Sequence, residues 1–259
     1  MRLVDRVILS LRDQHDRLVE VVTALDEEVL IGPSAASEWR VCDVVSHLGS
    51  GAEISLRPIA AAAGGTTPPQ ADNQAVWDRW NAMTPAEQVA GFVEHDERLV
   101  TTLEALGDAE RDTVTVDLGF LPAPVPLVVA TGLRFNEVTL HAWDVVAGQS
   151  PQATIDPEPA ALALDLYAGP LQSVLGWAGQ PDQLADTAVI AFAGRGLSIG
   201  ESVVLDDEAP LAPTATLTAS DEAAARLLAG RLGPEHTPDD VQVTGNVTLD
   251  DLRRVFPGF

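Results

Sequence analysis

The hydrophobic positions in the first 150 residues recur at helical spacing. Between residues 3 and 25, aliphatic side chains occupy every third or fourth position, as at Leu11, Leu18 and Val22, and this is the period of an amphipathic helix. The same period predicts further helices from near Trp39 to Ala63, around Trp77 and Trp80, from the capping box "TPAE" to about Leu106, and from about Pro124 to Ala147. No convincing strand precedes residue 150, so we predict a helical bundle.

The pattern changes after Gly148. "GQSPQATIDPEPA" (Gly148–Ala160) has three prolines and little apolar periodicity, which predicts a linker. A helix through Leu162, Leu166 and Leu171 is predicted next. "TAVIAFA", "LSIGESVVL", "TATLTA" and "VQVTG" then read as strands, with helices at 221–229 and 248–255 among them. We therefore predict an α+β protein, with the helical bundle at 1–150 and a small α+β domain at 151–259.

The composition narrows the range of partners. The formal net charge of −24 argues against nucleic acid and against an anionic membrane surface, because both would repel the chain. A single cysteine, Cys42, excludes an internal disulfide and a cysteine-rich zinc site. There is no basic segment followed by an apolar stretch at the N-terminus and no long apolar run, so we expect a cytoplasmic protein.

One apolar helix carries polar residues that a core does not need. In "RFNEVTLHAWDVV" (Arg134–Val146), Glu137 and His141 are one helical turn apart, so a carboxylate and an imidazole share a face and can bind one metal ion. His47, in the apolar stretch "CDVVSHLGS", is the best candidate for a third ligand. Two histidines and one carboxylate leave a coordination position open, as in catalytic sites.

Each of these residues also has a purely structural interpretation. His47 alone suits a core histidine bonded to a backbone carbonyl, and Glu137 with His141 suits a hydrogen bond on a helix surface. The remaining histidines stand in polar contexts such as "RDQHDR" and "VEHDER", which predicts solvated helix faces. Those histidines are His15, His95 and His236.

Two motifs together resemble a known family. "EWRVCDVVSHLGSGAEI" and "RFNEVTLHAWDVVAG" look like the paired signature of the mycothiol-dependent maleylpyruvate isomerase family, which has a DinB-like four-helix N-terminal domain. The segments "RLLAGRLG" and "VQVTGNVTLDDLRRVFPGF" resemble the family's sterol-carrier-like C-terminal domain. The resemblance implies that His47, Glu137 and His141 are metal ligands. Two histidines and one carboxylate accept Zn²⁺, which is our first choice, and also Fe²⁺, Ni²⁺ or Mn²⁺. The resemblance implies mycothiol or a similar thiol as cosubstrate.

The resemblance also implies supporting roles. Asp144 is expected to accept the free ring N–H of His141 or a nearby donor, and Arg134 to pair with a carboxylate or to meet an anionic ligand. An arginine of the C-terminal domain is expected to hold the carboxylate of the substrate, and Arg231 is the best match. The alternatives are an ion pair between helices for Arg134 and Asp144, and a helix cap for Arg231. Rivals of Arg231 are Arg195, Arg226, Arg253 and Arg254.

These inferences describe a metal-dependent enzyme that uses a low-molecular-weight thiol on a small electrophilic, anionic substrate, as an isomerase or a thiol transferase. Two alternatives stay open: a metal-dependent hydrolase that activates water, and a binding module for an apolar small ligand. Cys42 lies about 140° round the helix from His47 and is expected to be a core residue rather than a nucleophile. The protein is expected to be a monomer or a homodimer.

Overall fold

The computed structural model describes residues 1–67 and 72–258, and it divides into two compact units, Met1–Ser150 and Pro151–Phe259. The first unit is mainly helical. Its elements are α1 (Leu3–Ala24), α2 (Glu27–Leu30), α3 (Val41–Ala63), α4 (Asn73–Asn81), α5 (Pro85–Glu104), α6 (Asp108–Thr113), β1 (Thr115–Val116), β2 (Val125–Pro126) and α7 (Leu127–Ala147).

Four long helices form the bundle of the first unit. Helix α1 packs against α5 and α7, and α3 packs against the same two helices, which gives a closed ring of four. The aliphatic stripes of these helices meet in the middle, where Leu11, Leu48, Leu99 and Val138 are fully or almost fully buried. Burial of these stripes is the main source of stability for such helices. Among the helices of the described residues, none is both long and apolar enough to span a membrane.

Two details of the first unit differ from the sequence predictions. Strands do precede residue 150, since β1 and β2 form a short antiparallel ribbon before α7, with α6 ahead of them. Helix α7 begins at Leu127, because Pro126 is its N-cap and cannot continue the backbone hydrogen bonding. The segment "GGTTPPQADN" (Gly64–Asn73), whose composition predicts a loop, lies partly outside the described residues.

The second unit has α+β architecture. Its elements are α8 (Pro157–Ala168), α9 (Gln172–Ala178), β3 (Ala188–Phe192), β4 (Arg195–Ile199), β5 (Val203–Asp206), β6 (Ala215–Thr218), α10 (Asp221–Leu228), β7 (Gln242–Gly245) and α11 (Leu249–Val255), with short 3₁₀ turns at Pro181–Gln183 and Pro234–His236. The strands form one sheet in the order β5-β4-β3-β6-β7, in which only the β3–β6 pair is parallel. Together, the two units make the chain an α+β protein.

Two predictions for the second unit are wrong in detail. "LSIGESVVL" is not one strand but a hairpin, because Gly200 and the polar residues after it turn the chain so that Ile199 pairs with Val203. The predicted linker is also shorter, since α8 begins at Pro157, a residue whose fixed φ suits the first turn of a helix. The β3–β4 turn uses Ala193 and Gly194, both at positive φ, as a two-residue type I′ turn requires.

Candidate metal centre

Three side chains predicted as ligands meet at one point in the first unit. His47 lies on α3, and Glu137 and His141 lie one turn apart on α7. The donor atoms of the three residues all lie within 4.8 Å of one another. His47 Nε2 is 2.9 Å from Glu137 Oε2, and His141 Nε2 is 3.7 Å from the same oxygen. Two imidazole nitrogens and a carboxylate oxygen are a donor set that suits Zn²⁺ and other divalent transition metals.

A buried carboxylate orients His141. Asp144 Oδ2 lies 2.8 Å from His141 Nδ1, and Asp144 is fully buried. A carboxylate at that distance holds the ring proton on Nδ1, which leaves the lone pair of Nε2 directed toward Glu137. This arrangement is the one that supports a histidine ligand of a metal ion.

Trp39 covers the two imidazoles. Its ring stacks on His141 with an interplanar angle of 15° and a centroid distance of 5.8 Å, and it lies 5.2 Å from the ring of His47. An indole in this position restricts the rotation of both rings and keeps water from one side of them. The tryptophan remains 38% exposed, so the site stays open toward solvent.

The loop that carries Trp39 is held in place by backbone hydrogen bonds. Pro33 and Arg40 form an isolated bridge, and the Ala35 N–H donates to the carbonyl of Asp144 on α7. Within the loop, Glu38 adopts φ of 64°, a left-handed conformation that costs roughly 1–3 kcal/mol for a residue other than glycine. Closure of this loop onto α7, rather than a helix, therefore positions the indole of Trp39.

The charges around the triad favour an ionised carboxylate. Partial burial acts to raise the pKa of Glu137, but the hydrogen bond from His47 and the nearby His141 and Arg134 hold that pKa below its ordinary value. Glu137 is therefore the anionic member of the triad at neutral pH. An ionised carboxylate beside two imidazole rings is a donor set that can bind a cation.

Arg134 is paired rather than free. Its Nη2 donates to Asp96 Oδ1 at 2.6 Å and to the carbonyl of Leu48 at 2.9 Å, and Arg134 is 5% exposed. Of the two roles predicted for Arg134, its contacts fit pairing with a carboxylate. Asp96 also accepts from His15 Nδ1 at 2.8 Å, and the pKa of Asp96 is held below its ordinary value, because Arg134 and His15 together outweigh the effect of burial. This network joins all four long helices.

The prediction of solvated faces for three histidines is wrong. The side chains of His15, His95 and His236 are 5%, 21% and 14% exposed. For His15, the reason is that Leu11 and Leu18, four residues before it and three after it, lie on the buried face of α1, so the helical period outweighs the polar neighbours in sequence. The sequence therefore contained a signal for His15 that local polarity hid.

A cavity of about 400 Å³ adjoins the triad at His47. Its lining residues come from the Trp39 loop, from α3 and from α4, and they are Trp39, Asp43, Ser46, His47, Ser50, Trp77 and Asn81. The volume lies in the range of about 300–1,000 Å³ that is typical of small-molecule sites. No pattern in the sequence indicates this cavity.

Helix α4, which forms one wall of the cavity, is anchored by its own tryptophan. Trp80 is fully buried, and its Nε1–H donates to Glu53 at 2.9 Å. The ring lies against Gly49 and Gly91, where an added Cβ would collide with it. Glu53 also pairs with Arg79. These contacts fix α4 on α3 and α5, and they place Trp77 at the cavity.

Arg231 and its four rivals all bond to groups of the second unit. Arg231 Nη1 donates to the carbonyl of Ala229, the C-cap residue of α10, which is the helix-cap contact that the sequence left open. The four rival arginines are bound to acidic side chains. Arg226, at 1% exposure, pairs with Glu222 and is part of the core.

Cys42 lies in the core of the first unit. It is fully buried, and burial raises the pKa of its thiol. A buried, protonated thiol is a poor nucleophile.

Comparison of the sequence with family models gives a match over the helical unit. Residues 11–146, more than half of the chain, match the family model described as the mycothiol maleylpyruvate isomerase N-terminal domain. The chain belongs to this family. Two uncharacterized proteins from two strains of Mycobacterium tuberculosis are 30% identical to this family member over 150 residues, which are 56% of its chain and 71% of theirs.

Solved structures share the fold of this family member along almost its whole length. The crystal structure of the mycothiol-dependent maleylpyruvate isomerase superposes with a TM-score of 0.64 at 17% sequence identity, over 95% of both chains. A histidine-to-alanine mutant of that isomerase gives a TM-score of 0.63 at 16% identity, with the same coverage. At this level of identity, the likeness establishes a common fold.

Proposed function

We propose that the protein is a metal-dependent enzyme that uses mycothiol or a similar low-molecular-weight thiol, and that it isomerises a small electrophilic, anionic substrate or transfers the thiol to it. The observation that carries the proposal is the convergence of His47, Glu137 and His141 within 4.8 Å, in a chain of this family. Two imidazoles and one carboxylate leave room for a thiol on a bound divalent ion. Zn²⁺ is our first choice of metal, with Fe²⁺, Ni²⁺ or Mn²⁺ as alternatives.

Each residue of the centre has a distinct task in this proposal. His47, Glu137 and His141 hold the ion, and Asp144 is a positioning residue that fixes the tautomer of His141. The indole of Trp39 holds both imidazole rings in place. When bound, the ion would lower the pKa of the thiol, so that the thiol is present as the thiolate.

The chemistry that follows belongs to the thiol and the substrate. The sulfur adds to an electrophilic carbon of a conjugated double bond, and the pair of electrons from that bond moves onto the conjugated carbonyl group. Rotation about the new single bond and departure of the sulfur give the isomer and return the thiol unchanged. If the adduct instead takes up a proton on carbon and leaves the protein with its carbon–sulfur bond intact, the outcome is thiol transfer.

An anionic substrate needs a cation, and the best-placed arginine of the bundle, Arg134, is already engaged with Asp96. We propose Arg231 of the second unit for this task, as the family resemblance implies, because a planar guanidinium suits a bidentate carboxylate. Arg231→Lys should raise the KM of an anionic substrate and leave the metal content unchanged. If Arg231→Ala turns over substrate like the wild type, this role is refuted.

A low-molecular-weight thiol cosubstrate stays reduced in the cytoplasm, where we expect the protein to act.

The experiment that tests the proposal measures metal and activity together. We expect up to one divalent ion per purified chain, lost in His47→Ala and His141→Ala and kept in His236→Ala, a matched histidine of the second unit whose Nδ1 lies 3.2 Å from the carbonyl of Pro151. Metal-loaded protein should consume electrophiles such as maleylpyruvate only when the thiol is added. Full metal retention in both triad variants, or turnover that is independent of thiol, would refute the proposal.

A further inference from the structure

Arg134 of α7 contacts α3 at the residue that directly follows His47. Its Nη2 donates to the backbone carbonyl of Leu48 at 2.9 Å and to Asp96 Oδ1 on α5 at 2.6 Å. Helix α3 leaves room for the guanidinium at Gly51, where an added Cβ would lie 3.1 Å from Nη1. One side chain of α7 therefore holds α3 beside a candidate ligand.

The carboxylate that accepts from Arg134 is itself held from α1. His15 Nδ1 lies 2.8 Å from Asp96 Oδ2. The side chains of His15, Asp96 and Arg134 are 5%, 2% and 4% exposed. Side chains this buried have few alternative rotamers, because the core around them is closely packed. The core of the bundle therefore sets the position of the guanidinium.

Stability alone does not account for a buried arginine at this position. Arg134 Nε is buried and has no hydrogen-bond partner among residues 1–67 and 72–258, and a buried donor of this kind costs free energy. Apolar side chains of similar volume often replace a buried ion pair with no loss of stability, or with a gain. The surroundings of Arg134 point instead to the metal centre, because Glu137 lies one turn after it on α7 and His47 precedes its acceptor on α3.

We propose that Arg134 is a positioning residue of the candidate metal centre, and that it holds α3 and α7 at the separation that the three ligands need. The inference rests on the proposed function, because that function gives the triad an ion to bind. At the present separation, His47 Nε2 lies 2.9 Å from Glu137 Oε2, and the rings of His47 and His141 have centroids 4.9 Å apart. Loss of the guanidinium removes the bond between α3 and α7 at this level, so the donors separate and the affinity for a cation falls.

The sign of the effect separates positioning from simple electrostatics. A positive charge near the triad repels a cation, so removal of Arg134 would tighten cation binding if the residue acted through its charge alone. A positioning role predicts weaker binding. The double variant Asp96→Asn with Arg134→Met isolates the geometry, because it removes one charge of each sign and leaves the net charge of the pair unchanged.

Titration of the full chain with Co²⁺, followed through the d–d absorption of the ion, measures the affinity of the triad. We expect the double variant to bind Co²⁺ about tenfold more weakly, a loss typical of removing a group that supports a metal ligand. Arg134→Lys should lose less, because lysine keeps the charge but ends one atom short of Nη2. The control is Leu103→Ala, since Leu103 is fully buried two turns after Asp96 on α5, and its truncation destabilises the same bundle without removing the bond to Leu48.

A second measurement needs no metal. In metal-free protein, a nuclear Overhauser effect between the imidazole protons of His47 and His141 should be present in the wild type and in Leu103→Ala, and be lost in the double variant. If the wild type binds no Co²⁺, metal binding by the triad is refuted, and this effect alone decides on the positioning role. Should the double variant fail to fold, Arg134→Lys takes its place in both measurements. Unchanged or tighter Co²⁺ binding, an equal loss of affinity in Leu103→Ala, or an imidazole contact that survives in the double variant would overturn the inference.

Discussion

Replacement of Asp96 by asparagine should destabilise the first unit severely. The Asp96 carboxylate is 1% exposed, and it accepts from Arg134 at 2.6 Å and from His15 at 2.8 Å. Asparagine keeps the shape but removes the charge, so the guanidinium of Arg134 is left buried without a counter-ion. Breaking a buried pair in this way costs about 3–5 kcal/mol. Because each kcal/mol lowers Tm by about 2–4 °C in a unit of this size, we expect a fall of roughly 6–20 °C.

Calorimetry and urea unfolding of the full chain measure this effect. The matched control is Asp16→Asn, since Asp16 is 62% exposed and pairs with Arg12 at 3.4 Å, and an exposed pair of this kind contributes about 0–1 kcal/mol. The double variant Asp96→Asn with Arg134→Met should recover part of the loss, because it removes the uncompensated charge. An Asp96→Asn variant within about 1 kcal/mol of the wild type would refute the reasoning.

The stabilising contribution of Asp96 should depend on pH in a definite direction. The pKa of Asp96 is lower in the folded chain than its ordinary value of 3.8, so the carboxylate contributes stability that is fully present above that value. This stability is lost as the pH falls through the lower pKa of the folded state. The difference in the free energy of unfolding between wild type and Asp96→Asn should therefore be constant from pH 7 to 5 and shrink below about pH 4. A difference that stays constant down to pH 2.5 would contradict the assignment.

Three further predictions follow from single contacts. Asp144→Asn should weaken metal affinity about 10–100-fold, as loss of a carboxylate behind a histidine ligand does, and chelator competition measures it; unchanged affinity would remove Asp144 as a positioning residue. Cys42 should react with a thiol reagent only after unfolding, because it is fully buried, and rapid labelling of the native chain would contradict this. Gly49→Ala should destabilise the chain, because the added Cβ collides with the ring of Trp80. The control is Gly176→Ala, where an added Cβ meets nothing within 4 Å. Equal Tm values for the two variants would contradict the prediction.

The helices and the triad could be predicted because both depend on helical periodicity. The spacing of Glu137 and His141 puts them on one face of α7 in any helix, and the apolar stretch around His47 marks α3 as a core helix. His15 and Asp96 carried a comparable signal, since Phe92 and Leu99 flank Asp96 at helical spacing on the buried face of α5. The polar residues next to His15 and Asp96 in sequence conceal this signal, which is visible only along the helical face.

The cavity and the loop of Trp39 could not be predicted in this way. The loop has no period, and its position depends on backbone hydrogen bonds such as the one from Ala35 to the carbonyl of Asp144. The cavity needs α4 to sit on α3, which depends on the fit of Trp80 against Gly49 and Gly91. These are contacts between residues far apart in sequence, and no local pattern encodes them.

The buried Arg134–Asp96 ion pair lies next to the candidate metal centre, and its arginine joins the same two helices. Arg134 bonds to the carbonyl of Leu48, the residue directly after His47, and it lies one turn before Glu137 on α7. The same guanidinium therefore fixes α3 and α7 at the level where each carries a candidate ligand. The bundle core sets this separation, at which His47 Nε2 lies 2.9 Å from Glu137 Oε2. If this centre binds a cation, side chains that the bundle core already holds close together lose little conformational entropy on binding.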